Sequence, residues 1–404
     1  MKIAFICYEC PPDTPAGGIA TYLLQAANML QNRGHTVEIF TASPYRSGVE
    51  TQANGLAIHR TKTATREEFS DKVAPVFAER HKAVTFDVLE GPDYRAEATG
   101  AIRLVPDIPF VVKLHTPCCV LRQQRASEKT GFKAKFRDML GAVNQRINPN
   151  SIETLEQRQA LKADIISSPS KAIGERLQRY WKLEVQKIRY FPYPYDAPTN
   201  LLKIPIKERD SKVITFVGRL EFRKGVLDLA QAIPTVIEHF PDAKFILVGK
   251  SQQSPSPKQK MKEYIESELQ QYQNSIEFTG TIPNDQLHTV LSQTDICVFP
   301  SLFDSFGLVC LEAMAAGRAV IGSSSGGMAE IINSDAVGRL VPPQEPRQIA
   351  QKAIELLGNP ELRVKIGMAA RDRVLRDYST NHVGDLQEEA YRQAIKNRRR
   401  SVSQ

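Results

Sequence analysis

Residues 299–330 read FPSLFDSFGLVCLEAMAAGRAVIGSSSGGMAE, and the punctuation of this stretch decides the fold. The apolar run Ile296–Phe299 has the length of a buried strand and stops at a Pro/Ser/Asp loop. Apolar residues then recur at helical spacing from Leu308 to Ala316, and Gly317 supplies the left-handed residue that ends a helix. A second short strand, Ala319–Gly322, opens into Ser323-Ser324-Ser325-Gly326-Gly327 and a further helix start. Strand, helix and strand in this order place Asp304 and Glu312 beside a loop-to-helix corner at the C-terminal ends of strands. That rim is where open α/β sheets bind ligands.

The same alternation extends in both directions. Upstream, the strand Lys212–Val217 runs into Gly218-Arg219-Leu220 and Phe222-Arg223-Lys224-Gly225 before the helix Val226–Glu238. Lys244–Val248 and Ile276–Phe278 repeat the strand signal, the second followed by Gly280. In the N-terminal half, the strand Lys2–Tyr8, the pair Gly17-Gly18 and the helical pattern Ile19, Leu23, Leu24, Ala27, Leu30 lead to the strand Val37–Thr41, a βαβ unit. Strands are expected at Ile58–Arg60, at Val88–Glu90 and at Phe110–His115, the last two ending on Glu90 and His115. At 404 residues the chain exceeds one core, so the expected organisation is an N-terminal Rossmann-like domain over 1–195, a proline-rich linker over 196–211, a second Rossmann-like domain over 212–380 and a terminal helix over 381–404.

Composition narrows the function classes. No run of eighteen apolar residues could span a bilayer, and the N-terminus reads as a first strand, not a signal peptide. Six scattered cysteines suit a reducing, cytoplasmic setting. The net charge of +8 and the pI near 9.1 arise partly from Arg122, Arg125, Lys129, Lys133, Lys135, Arg137 and Arg146. That stretch, 122–146, reads either as a solvated helix face or as an interfacial helix on anionic lipid at the inner membrane surface. Lys396 and Arg398-Arg399-Arg400 read as a solvated, frayed end. Neither region carries the aromatic interleaving or a motif of a nucleic-acid binder, so no nucleic acid is expected.

Asp304 and Glu312 have seven residues between them, and Phe306-Gly307, Glu312-Ala313-Met314-Ala315, Gly317, Gly326-Gly327 and Glu330 accompany them. With Arg219 and Lys224 in a GRLxxxKG pattern, the segment resembles the retaining, metal-independent glycosyltransferases of family 4. The departure is Asp304, where the family usually carries Glu. The resemblance implies two facing Rossmann-like domains of GT-B type with a cleft between them, a nucleoside-diphosphate sugar as donor, and no metal or other cofactor. It implies Arg219 and Lys224 on the diphosphate, where arginine can fork onto two oxygens and lysine acts as a compact charge. Glu312 would accept from the ribose hydroxyls, and Asp304 would approach the transferred sugar or its phosphate. Gly326 and Gly327 would give amides to the diphosphate, with Glu330 steadying their loop, and Gly218, Gly280, Phe306 and Gly307 complete the donor side. Gly17, Gly18, Glu90 and His115 would form the acceptor side, for a glycan, a lipid-linked sugar or a small sugar, as in polysaccharide biosynthesis. The terminal helix would return to the first domain.

Other readings compete. A glycosidase also uses paired carboxylates, but the resemblance implies hydroxyl recognition by both. A non-catalytic nucleotide- or glycan-binding descendant, or a basic membrane-surface scaffold, leaves the Arg219, Lys224, Asp304, Glu312 register unexplained. Cys7, Cys10, Cys118 and Cys119 could meet on one rim, although an adjacent pair fits tetrahedral zinc poorly.

Overall fold

The computed structural model describes residues 1–15, 17–128, 148, 151–208, 210–256 and 258–402. Most of the basic stretch 122–146 lies outside the described residues. The chain divides into two compact units, Met1–Asp196 with Tyr378–Gln404, and Ala197–Asp377.

The first unit is built on an eight-stranded sheet. Its strands are β1 (Lys2–Ile6), β2 (Thr36–Ser43), β3 (Gly48–Thr51), β4 (Ala57–Lys62), β5 (Val88–Pro92), β6 (Phe110–Lys113), β7 (Ile165–Ser168) and β8 (Ile188–Tyr190). Their order is β3-β4-β2-β1-β5-β6-β7-β8, parallel except for β3, which runs antiparallel to β4 at the edge. Ile3 to Ile6 and Val37 to Ser43 are buried without interruption. Near-continuous apolar strands are what a parallel sheet requires when helices cover both faces.

The helix Thr380–Val402 is one such cover. Gln387, Ala390, Tyr391 and Ala394 are buried in the first unit, and Arg33 is ion-paired with Asp385 and, at 2.6 Å, with Glu388. The basic end expected to fray is tied down in part, since Arg398 meets Asp164 at 2.9 Å.

The second unit has strands β9 (Val213–Val217), β10 (Lys244–Val248), β11 (Ile276–Gly280), β12 (Ile296–Phe299), β13 (Ala319–Ser323) and β14 (Arg339–Val341). Their order is β11-β10-β9-β12-β13-β14, and every pair is parallel. This is the doubly wound arrangement, in which the chain leaves β9 in one direction and resumes on its other side at β12. The first part of the segment expected as a linker packs on this unit, while Lys207, Glu208, Asp210 and Ser211 are exposed. Thr199–Leu202 forms a helical turn, Leu201 and Ile204 are buried, and Arg371 and Arg318 donate to the carbonyls of Ile204 and Pro205 at 2.8 Å each. Apolar side chains and satisfied carbonyls, invisible in a proline-rich composition, hold the segment down.

Candidate functional site

In the second unit the β9 and β12 loops flank the switch point. The β9 loop turns through Phe222–Lys224 into Gly225, which has φ +69°. A Cβ there would stand 1.9 Å from the Pro300 carbonyl oxygen, so only glycine lets the two loops meet. The Leu302 N–H donates to the Arg223 carbonyl at 3.0 Å and fastens them further. Lys224 Nζ consequently reaches Asp304 Oδ2 at 2.5 Å.

Around that pair lies a line of charge. Glu221 Oε1 is shared between Arg223 Nη2 at 2.6 Å and Arg219 Nη2 at 3.2 Å. The Arg219 side chain is 57 % exposed, against 19 % for Lys224 and 11 % for Arg223, so Arg219 has a guanidinium edge to offer. Burial would push the Asp304 carboxyl up, but the Lys224 ammonium and the Arg223 guanidinium outweigh it and hold the group below its usual range.

Glu312 lies on the helix Leu308–Ala315, half-buried. Among the described residues its carboxylate has no hydrogen-bond or ion-pair partner, and burial pushes it up to about 7. An acid kept without a partner in a half-buried place is costly to the fold.

The glycine loop stands differently from expectation. Gly326 has φ +84°, and a Cβ there would come within 2.2 Å of the Asp304 carbonyl oxygen. Gly326 bridges Asp304 in parallel, and the Gly327 amide, expected to be offered to an anion, donates to the Asp304 carbonyl at 2.7 Å. The two glycines therefore seat the loop against Asp304. Glu330 is held through its backbone, its N–H bonded to Gly327 at 3.0 Å and its carbonyl accepting from Arg373 at 3.0 Å. Gly307 caps the helix carrying Glu312, Phe306 beside it is buried, and Gly218 and Gly280 stand at the ends of the β9 and β11 strands, with the Gly280 carbonyl accepting from Gly249 at 2.8 Å.

The acceptor-side candidates fall in the first unit. Gly17 caps the helix Gly18–Asn32 and accepts from Thr21. His115 follows β6 with its Nδ1 at 2.6 Å from the Tyr193 hydroxyl, and burial, with the charges of Lys113 and Arg66, holds it well below the usual histidine range. Glu90 departs from expectation. Its strand continues to Pro92 and its carboxylate is enclosed, accepting from Tyr22 at 2.6 Å and Tyr391 at 2.8 Å. Glu90 is 2 % exposed, its carboxylate held inside the first unit by the two tyrosines.

Sequence reasoning missed Glu221, Arg223, Lys113, Tyr193 and Arg66. The first two lie inside the motif it read, and the basic-acidic alternation Arg219, Glu221, Arg223 was available as a signal. The six cysteines are free thiols, and among the described residues no three His, Cys, Asp or Glu side chains converge as a metal site, so the four-thiol rim does not form. No described helix is long and apolar enough to cross a membrane.

Two family models match the chain in succession, one described as a glycosyl transferase 4-like domain over residues 17–194 and one as glycosyl transferases group 1 over 199–373. An uncharacterized glycosyltransferase of Methanocaldococcus jannaschii is 25 % identical over 98 % of this chain and 99 % of its own. A phosphatidyl-myo-inositol mannosyltransferase of Mycobacterium tuberculosis is 25 % identical over 94 % of this chain and 93 % of its own. Among solved structures, a sucrose-phosphate synthase from Thermosynechococcus elongatus superposes with a TM-score of 0.73 at 22 % identity, covering 98 % of this chain and 99 % of that one.

Proposed function

The chain belongs to the family 4, group 1 glycosyltransferases of GT-B fold, enzymes that transfer a sugar from a nucleoside-diphosphate donor, and from that premise we propose a retaining, metal-independent transfer to an acceptor hydroxyl. The observation that carries the reading is the pairing, at one switch point, of an exposed arginine and a lysine with an unpartnered carboxylate. In this reading Arg219 and Lys224 bind the diphosphate and take up the charge that develops on it as the glycosidic bond breaks. Glu312 accepts from the ribose hydroxyls. Asp304 orients Lys224 and stands near the transferred sugar, and the Gly326-Gly327 loop keeps it there. The Gly326 amide, which the Asp304 bridge leaves aside, is the amide this loop offers to the phosphates.

The reaction balances without a protein base. The bond from the anomeric carbon to the phosphate oxygen breaks, the acceptor oxygen bonds to the same face, and the acceptor proton passes to the departing phosphate. His115 supports the acceptor side as a neutral group. The acceptor class is a glycan, a lipid-linked sugar or a small sugar. An inositol-containing lipid joins the screen because the mycobacterial relative's name carries one, and vesicles with anionic lipid test the peripheral membrane contact of the basic stretch.

The test is a transfer assay with UDP-, GDP- and ADP-sugars in the presence of EDTA, with the anomeric configuration of the product read by proton coupling. Retained configuration at an undiminished rate is expected. An inverted product, or a rate abolished by EDTA, would overturn the proposal.

A further inference from the structure

A buried polar cluster lies beneath His115 that the transfer step does not use. Lys113, near-fully buried at 1 % exposure, donates from Nζ to Ser167 Oγ at 2.9 Å. Its ammonium also meets three rings, 4.0 Å from the centroid of Phe191, 4.8 Å from Tyr22 and 5.1 Å from Tyr193. Aromatic faces at such range favour the charged form. Burial acts against it and draws the group down to about 7, with Glu90 pushing back.

The cage touches His115 twice. The Tyr193 hydroxyl stands 2.6 Å from His115 Nδ1 and 3.2 Å from the Leu114 carbonyl, and the Tyr22 ring meets the imidazole edge-on at 5.4 Å. The Tyr193 hydroxyl carries one proton and the Leu114 carbonyl can only accept, so both contacts are satisfied when Tyr193 donates to Leu114 and accepts from His115 Nδ1–H. Tyr22 is fixed in turn, donating to Glu90 at 2.6 Å and accepting from Gln387 at 3.1 Å, while Tyr391 donates to Glu90 at 2.8 Å. The backbone of His115 is pinned by its N–H to Asp93 Oδ1 at 2.9 Å. The ionisable groups around the imidazole are thus Lys113, Arg66, Asp93, Tyr22 and Tyr193, with Glu90 and Tyr391 behind Tyr22.

We propose that Tyr193 and Lys113 are positioning residues for His115. The Tyr193 hydroxyl, anchored on the Leu114 carbonyl, fixes the ring as the tautomer protonated on Nδ1, and the charge of the caged Lys113 disfavours a second proton, so that Nε2 is presented as a set acceptor to a substrate hydroxyl. The terminal helix, through Gln387 and Tyr391, closes the cage. This rests on the reading of His115 as a substrate-facing group, and the experiment separates the two.

The full chain is labelled on histidine with ¹³C and ¹⁵N, and His115 is identified by the signal missing in His115→Gln. In the wild type the ring is expected neutral through the working range and in the Nδ1-protonated form. Tyr193→Phe should convert it to a mixture of tautomers, and Lys113→Met should raise its titration midpoint by about one pH unit or more. Methionine is close to lysine in length and removes a charge that burial penalises, so that variant is expected to fold. Both variants should lower kcat about tenfold while the donor KM stays put, the pattern of an interaction made only in the transition state. An unchanged tautomer and midpoint in both variants would overturn the positioning role. Wild-type turnover in His115→Gln would instead overturn the substrate-facing reading, whatever the spectra show.

Discussion

The two units carry the same kind of crevice and furnish it in opposite ways. In the first unit the strand order reverses between β1 and β5, and the loops that follow converge on Arg66. Its guanidinium meets Glu9 at 2.7 Å and Glu97 at 2.6 Å, and lies between the rings of Tyr8 and Tyr94. Although burial opposes it, the two carboxylates raise the Arg66 pKa further. In the second unit the order reverses between β9 and β12, and there Arg219 is largely exposed and Glu312 unpaired. Topology supplies the crevice in both cases, but charge balance decides what it can take. A half-buried cation whose charge is already balanced by two carboxylates has little left to offer an anionic ligand. The Arg219–Glu221 pair, with Arg219 57 % exposed and a pair of that kind worth about 1 kcal/mol or less, is readily exchanged for a diphosphate.

The comparison breaks most visibly if the first crevice is opened. Arg66→Ala leaves the buried Glu97 without its cation, beside the half-buried Glu9, and is expected to cost roughly 3–5 kcal/mol in denaturant unfolding. A loss under about 1 kcal/mol would mean that Arg66 is no more committed than a surface pair.

Next in size is Gly326→Ala. The side chain would displace the Asp304 carbonyl, and a strained left-handed residue costs about 1–3 kcal/mol, so donor affinity should fall roughly tenfold or more while the first unit is untouched. Equal donor affinity in the variant would show that the loop and Asp304 are uncoupled.

Glu312→Gln sharpens the contrast through pH. Its carboxyl is raised above the unfolded value, so the folded chain binds the proton more tightly and stability falls as pH climbs from about 4.5 to about 7. Glutamine removes that loss, giving a gain on the order of 1 kcal/mol at pH 8, discounted for partial exposure, and none at pH 4. Donor binding should move the other way, tightening in the wild type as the carboxylate forms near pH 7 and losing that dependence in the variant. Identical thermal melts for the two proteins at pH 8 would remove the unpaired acid from the account. The smallest effect is expected for Arg219→Ala, within about 0.5 kcal/mol in stability; a larger loss would make Arg219 structural, like Arg66.

The same contrast explains what could be read from the sequence. The second crevice is written in short stretches: Gly218 to Gly225 on one side, Asp304 to Glu330 on the other, with glycine, charge and helix start at fixed offsets. Even there, spacing could not tell that Gly327 spends its amide on Asp304. In the first unit the decisive contacts are remote. Glu90 meets Tyr391 across 301 positions, and Arg66 comes from a polar segment with no motif around it, 57 positions from Glu9. An acidic residue near a strand end looks the same in sequence whether it meets solvent or a returning helix. The alternation of strands and helices was legible throughout, because periodicity is local. The packing of residues 199–205 was not, because it depends on carbonyls held by Arg318 and Arg371 far along the chain.

The central claim is that the switch point of the second unit binds a nucleoside diphosphate through Arg219 and Lys224. Calorimetric titration of UDP, GDP and ADP, with and without Mg²⁺, into the wild type and into the Arg219→Ala, Lys224→Ala double variant tests it directly. The account predicts that one diphosphate binds, that Mg²⁺ makes no difference, and that the double substitution weakens binding at least a hundredfold, as expected when two charge-assisted contacts of about 1.5–3 kcal/mol each are lost. Binding of equal strength in the double variant would contradict it.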